Sequence, residues 1–298
     1  MTTQDRPRTE GDWLLVPAPQ QHRPFRLFCF PHAGGDATAY SPLAHALAPF
    51  AEVWALRMPA RGGRTREPMP ATFDRLVQSV TAALRPHLDG PYGFYGQSLG
   101  ALLAFETARA LPAGQRPRIV ITASAEPPGA WAGGVPRERD AEDLLHSAGM
   151  GELIGSDPEL RELALGTIQA DLDVRRTYRY RPGPPIESDL HAVLGDGDPM
   201  LGPGLLDGWA RHTSGRFGLS TIPGGHLLAT VDRRGPADLL TSVITDSLNR
   251  TTSTRTSDDR TTSTRTSDDR TTSPRTTADR PVRHQPDREQ QWSAPRST

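Results

Sequence analysis

The sequence predicts an α/β protein with a mostly parallel central sheet flanked by helices and a helical insertion in its second half. Two observations carry this. Short apolar runs of strand character alternate with helix-like segments over 25–126 and again over 189–248, and between them lies a stretch with helical segments but no strand. Strands separated by helices pair in parallel, because the helix carries the chain back across the sheet.

The elements follow in order. Residues 1–24 read as a polar, Pro-containing N-terminal arm. Residues 25–30 form a buried strand that runs straight into Pro31-His32-Ala33-Gly34-Gly35, a loop unable to continue either strand or helix. A helix is expected over 41–50, a strand over 52–56, an Arg- and Gly-rich loop over 57–66 and a helix over 73–88. Then come a strand at 92–95, a helix at 99–111 and a strand at 118–123. The insertion, about 127–188, holds helical segments near 138–148 and 158–181 and sits above the sheet as a lid. The alternation resumes with a strand at 189–194, a helix at 205–212, a strand at 217–222 and a last helix at 236–248. This order fits an α/β-hydrolase sheet, with the domain spanning 25–248.

Composition bounds the remainder. The decapeptide TTSTRTSDDR occupies 251–260, recurs identically at 261–270 and in degenerate form at 271–280, and 251–298 holds only Ala278, Val282, Trp292 and Ala294 as apolar residues. So little apolar surface cannot offset chain entropy, and 249–298 reads as a disordered tail. All 34 basic residues are Arg. The tail carries nine of them against seven acidic residues, which leaves 25 against 28 in the body, a net charge of −3 and no nucleic-acid footprint. The single cysteine, Cys29, excludes an internal disulfide and a cysteine zinc cluster, and its apolar strand places it in the core. A polar N-terminus of mixed charge and the lack of a long apolar run predict a cytoplasmic protein with no membrane contact.

Chemistry is concentrated at strand ends. Gly96-Gln97-Ser98-Leu99-Gly100 joins a strand to a helix, the arrangement of a serine nucleophile elbow, in which glycines two residues either side let strand and helix approach closely. Acyl transfer through serine needs a base and a carboxylate to orient it, and in this fold they follow the nucleophile as acid and then histidine. Of nine histidines, His226 alone combines a post-strand loop, a Gly-Gly approach and a following apolar helix start. His22, His87 and His284 read as solvated, His45, His146 and His212 as helical, and His191 as packed within a strand. Asp198, which precedes Pro199 and is therefore biased to extended backbone, is the favoured acid; Asp196 reads as a turn or capping residue that could exchange roles with it. Asp207 reads as a solvated helical residue. The oxyanion donors are expected to be the backbone N–H groups of Leu99 and Ala33.

With these residues in place, the chain resembles the type II thioesterases that accompany polyketide synthases and non-ribosomal peptide synthetases. The resemblance spans about 11–248 and rests on 27–35, 56–64, 96–100, Ala170-Asp171-Leu172 ahead of Tyr178, 195–199, Trp209 and 224–226. It implies Ser98, Asp198 and His226 as a triad, with Ala33 and Leu99 as amide donors. It also implies hydrolysis of acyl groups from the phosphopantetheine arm of an acyl or peptidyl carrier protein, with no cofactor or metal. Gln97 stands where that family usually has His, so reactivity is expected to be tuned; a proline expected ahead of Ala170 is absent, which bears on substrate preference. Because carrier proteins are usually acidic, Arg61, Arg64, Arg175 and Arg176 are candidates for a docking patch, against the reading that they are ordinary solvated arginines. Two rival functions share these residues: a carboxylester hydrolase or product-releasing thioesterase, and an inactive hydrolase-fold scaffold.

Overall fold

The computed structural model describes residues 6–21, 25–133, 141–149, 151, 157–231 and 234–262. Its strands are β1 (Arg8–Glu10), β2 (Leu14–Val16), β3 (Arg26–Phe30), β4 (Glu52–Leu56), β5 (Tyr92–Gln97), β6 (Ile119–Ala123), β7 (Asp189–Gly195) and β8 (Phe217–Ile222). They form one sheet in the order β1-β2-β4-β3-β5-β6-β7-β8. The strands β3 to β8 are mutually parallel, as the alternation with helices predicts, and the arrangement is that of an α/β-hydrolase sheet.

The helices are α1 (Ser41–Leu47), α2 (Phe73–Leu84), α3 (Leu99–Ala110), α4 (Ala141–Ser147), α5 (Pro158–Arg176), α6 (Leu228–Val231) and α7 (Arg234–Thr262). Successive strand residues face opposite sides of a sheet, and both sides are apolar here. Phe28, Phe30 and Phe94 meet α2 and α3 on one face. Leu27, Cys29 and Tyr95 meet α1 and α7 on the other. Cys29 is fully buried, and burial pushes its thiol far above the ordinary value, so it is a core residue and not a nucleophile. The helix α2 shows how these covers form: Thr72 accepts the Arg75 N–H as an N-cap, and Phe73, Leu76, Val77, Val80 and Leu84 present one buried stripe.

The structure departs from the sequence expectation in four places. The segment 1–24, expected as an arm, supplies β1 and β2, which extend the sheet antiparallel from β4. Leu14 and Val16 are fully buried around half-buried Leu15, an alternation too short to register before the β4 edge is there to pair with it. The helix expected over 158–181 ends at Arg176, where the Thr177 hydroxyl donates to Val174 O and accepts the Phe73 N–H. The segment 205–212 forms 3₁₀ turns, Pro203–Leu205 and Asp207–His212, anchored by the Trp209 indole N–H on Ala125 O at 2.8 Å. Finally, α7 continues past 248 to Thr262. Loss of apolar residues removes the reason to pack, but each added residue still gains a backbone bond on a helix already nucleated. Residues 1–254 form one compact unit, and a second begins at Arg255, of which only the helical turns to Thr262 lie among the described residues. The start expected for the first lid helix, 138, lies outside the described residues, as does the repeat from 263 onward.

The sheet positions the centre of the molecule through glycine. A Cβ on Gly96 would lie 2.2 Å from Gly100 O, and one on Gly100 would lie 2.1 Å from Phe30 O. Backbone on backbone at that distance has no side chain to move aside. Gly100→Ala is therefore expected to lower unfolding stability in urea by about 3 kcal/mol, and a loss below about 1 kcal/mol would contradict the close approach of α3 to β3.

Candidate active site

Ser98 joins β5 to α3 with φ 54° and ψ −121°, a conformation that a side-chain-bearing residue rarely adopts. Its N–H donates to Ala123 O at 2.8 Å, which fastens the turn to β6. A serine preceding a helix ordinarily spends its hydroxyl capping the first turn, yet no such bond forms here. The turn thus leaves the oxygen unused by the fold.

His226 and Asp198 come from two adjacent loops, after β8 and β7 respectively. The loops meet because Gly195 has no Cβ, which would lie 2.4 Å from both Gly224 O and Gly225 O. The His226 Nδ1 sits 2.9 Å from Asp198 Oδ2 and 3.1 Å from Oδ1. A carboxylate only accepts, so Nδ1 carries the proton and Nε2 holds the free lone pair of the neutral ring. Nε2 is buried without a hydrogen-bond partner among the described residues. Burial alone would raise the Asp198 carboxyl, but the hydrogen bond and charge of His226, with the Met200 N–H at 2.8 Å, hold it below the ordinary value. Asp196 instead accepts the Gly224 N–H at 3.1 Å and is exposed, the turn-forming role.

Ser98, His226, Ala33 and Leu99 all line one cavity of about 340 Å³, roofed by Leu144 and Leu172 of the helical insertion. The structure therefore gathers the residues singled out in sequence: four on the cavity wall and Asp198 behind His226. The Leu99 N–H stands at the first position of the twelve-residue α3, where the unsatisfied amides and the helix dipole favour an anion. The arrangement can hold a serine, a base with its orienting acid and two donors around one carbonyl group.

Other sequence candidates fall elsewhere. His191 shares a 2.9 Å hydrogen bond with Ser220 Oγ, and His45 bonds Ser41 O. His87, expected to be solvated, is half-buried with its ring 4.9 Å from that of Trp54. His212 is buried against Phe105, Trp209 and Tyr180, and burial with the nearby Arg211 and Arg109 charges holds it down at about 4. Arg61 and Arg64 are not surface cations: they are 4 % and 6 % exposed. Arg61 pairs with Asp171, whereas Arg64 pairs with Glu67 and lies over the Trp13 ring. Arg175 stacks on Trp131 at the cavity wall and Arg176 pairs with Asp173; both are half-buried. Compensation by nearby carboxylates, invisible in composition, accounts for the burial of Arg61 and Arg64.

Gln97 has a role beyond flanking Ser98. Its side chain is fully buried, its Nε2 donates to His226 O at 2.6 Å, and its Oε1 accepts the Ala229 N–H at 3.4 Å. The residue beside Ser98 thus ties the strand–helix turn to the His226 loop. Its position, adjacent to Ser98 on a strand whose side chains alternate faces, was the available signal.

Comparison with known proteins places the chain in a family. The thioesterase domain family model matches residues 25–247. The chain belongs to the thioesterase family. It is 34 % identical over 229 residues to a probable cadicidin biosynthesis thioesterase of Streptomyces griseus, covering 74 % of this chain and 63 % of that one, so it spans under two thirds of that relative. It is 33 % identical to the thioesterase PikA5 of Streptomyces venezuelae, covering 74 % of this chain and 82 % of the relative. Among solved structures, the type II thioesterase BorB of the borrelidin cluster aligns with a TM-score of 0.64 at 32 % identity, over 81 % of this chain and 98 % of that one. The RedJ thioesterase of Streptomyces coelicolor aligns with a TM-score of 0.66 at 27 % identity, over 77 % and 89 %. No helix among the described residues is long and apolar enough to cross a membrane.

Two outcomes are expected of this protein. Gln97→Leu leaves the buried His226 carbonyl without its donor and should cost about 1–3 kcal/mol of stability in urea, with turnover reduced about tenfold. A folded-state carboxyl value below the unfolded one stabilises the protein above about pH 4 and ceases to do so as pH falls through the folded value. Asp198→Asn should therefore flatten the acid side of the stability–pH curve, read from thermal unfolding at stepped pH, whereas an unchanged acid limb would remove Asp198 from that role.

Proposed function

We propose that this protein is a type II, editing thioesterase that removes acyl groups from the phosphopantetheine arm of acyl or peptidyl carrier proteins in a polyketide or non-ribosomal peptide pathway. The observation that supports this most directly is the His226–Asp198 pair with its unpartnered Nε2, in a cavity shared with Ser98 and the two amide donors. The coverage of 98 % of BorB, a type II thioesterase, supports the same reading. The synthetase AmbE of Pseudomonas aeruginosa, 34 % identical over 235 residues, is covered over only 10 % of its length.

The chemistry then follows from the residues. The acyl group enters beneath α4 and α5 with its thioester carbonyl at Ser98. His226 Nε2 takes the hydroxyl proton as Oγ attacks the carbonyl carbon, and the charge gathering on oxygen is met by the Ala33 and Leu99 N–H groups. Asp198 holds the imidazole in the productive tautomer and stabilises the imidazolium. Collapse breaks the C–S bond, and the pantetheine thiol leaves with the proton from His226. Water, deprotonated by the same imidazole, attacks the acyl-serine and releases a carboxylic acid and free Ser98. The pantetheine arm is part of the substrate, and the chain's own side chains perform each proton transfer.

The test is turnover of a panel of acyl-carrier thioesters, acyl-coenzyme A and p-nitrophenyl esters by the parent protein and Ser98→Ala. The expected result is preference for carrier thioesters and loss of at least about a thousandfold in kcat on Ser98→Ala. A clear preference for oxygen esters, or turnover surviving the substitution, defeats the proposal.

A further inference from the structure

The loop that presents the Ala33 N–H is held by a buried ion pair that the triad does not use. Asp171, 1 % exposed on α5, receives a two-pronged contact from Arg61, with NH1 to Oδ2 at 2.8 Å and NH2 to Oδ1 at 2.5 Å. The same Oδ2 accepts the Gly34 N–H at 2.7 Å. Arg61 in turn donates from NH1 to Gly35 O at 3.0 Å and from Nε to Pro59 O at 3.2 Å. The peptide group between residues 33 and 34 is thereby fixed at both atoms, because its carbonyl, Ala33 O, takes the Nδ1–H of His32 at 2.9 Å. Gly34 itself adopts φ +78°, and a Cβ there would lie 2.5 Å from Ile168 Cγ1 of α5, so the helix of the insertion closes directly over this turn.

We infer that Asp171, with Arg61, is a positioning residue for the oxyanion donor: the ion pair carried by the lid helix sets the peptide plane at 33–34 and so the direction of the neighbouring Ala33 N–H. A charged pair is an expensive way to fill a buried space, since well-packed apolar side chains of like volume stabilise as well or better. What an apolar pair cannot do is accept the Gly34 N–H. With that acceptor gone, the amide is free to turn and the donor next to it loses its aim, although the cavity and the triad remain. An interaction of this kind acts on the transition state and lowers kcat with little change in KM.

This inference rests on the reading of Ser98 as nucleophile and Ala33 as amide donor, and Ser98→Ala measured alongside separates the two. Arg61→Met/Asp171→Leu removes charge and acceptor together and fills the space. It is expected to keep the parental thermal midpoint within a few degrees while kcat on a carrier thioester falls by about a hundredfold and KM stays within about threefold. Arg61→Lys retains a cation for Asp171 and leaves the Gly34 acceptor in place; its midpoint should fall while kcat stays within about fivefold of the parent. The order of the two variants therefore inverts between stability and turnover. If kcat instead follows the thermal midpoint in both, or the apolar pair turns over at the parental rate, the ion pair is structural only and the inference is overturned. Full turnover by Ser98→Ala would be a failure of the underlying reading instead.

Discussion

The site depends on one strained residue. Ser98 holds φ 54° because β5, α3 and β3 approach more closely than any Cβ at 96 or 100 would permit, and the Ala123 carbonyl secures the turn from the far side. Strain of this kind persists only where its surroundings leave no other conformation. It yields two consequences at once. The hydroxyl is turned away from the capping position that serine would otherwise fill, and the first amide of α3 is brought beside it. The uncapped hydroxyl and the first helical amide are therefore products of one backbone geometry.

Around that turn, the protein uses carboxylates of one chemical type for three different ends, and environment decides which. Asp196 is exposed and closes a turn on Gly224. Asp198, two residues on, is buried behind His226, where it accepts hydrogen bonds from the imidazole Nδ1–H and the Met200 N–H. Asp171 is buried on the helical insertion and is neutralised by Arg61. The insertion and the core are thus joined by charge as well as by the apolar contacts of Ile168 and Leu172. An insertion docked in this way bears on the loop beneath it through specific bonds.

Much of the architecture was legible because parallel α/β sheets write strong local signals. Buried strands such as 26–30 and 119–123 are apolar runs, and α2 shows a clean buried stripe. The motif residues stood at strand ends, where an open sheet delivers side chains to one edge. What was illegible was pairwise. The three residues of β2 acquire strand character only from the edge of β4. The six residues after Leu206 settle into 3₁₀ turns because Trp209 reaches Ala125, and Arg61 and Arg64 read as surface cations until their carboxylate partners are placed beside them.

The sequence by itself determined the order of strands and helices along the chain, the glycines that make the elbow possible, and Ser98 and His226 as residues to bring together, with Asp198 favoured over Asp196 but not decided. These are local or ordered features, and short-range sterics and chain order are enough to express them. Tertiary structure alone decided that Asp198 and not Asp196 faces the imidazole, that Gln97 ties the elbow to the His226 loop, and that Asp171 reaches across 137 residues to the Gly34 amide. Each of those is a contact between segments whose meeting is set by sheet register and helix docking, and hydrogen bonds act only over about 3 Å, a scale that linear spacing does not encode.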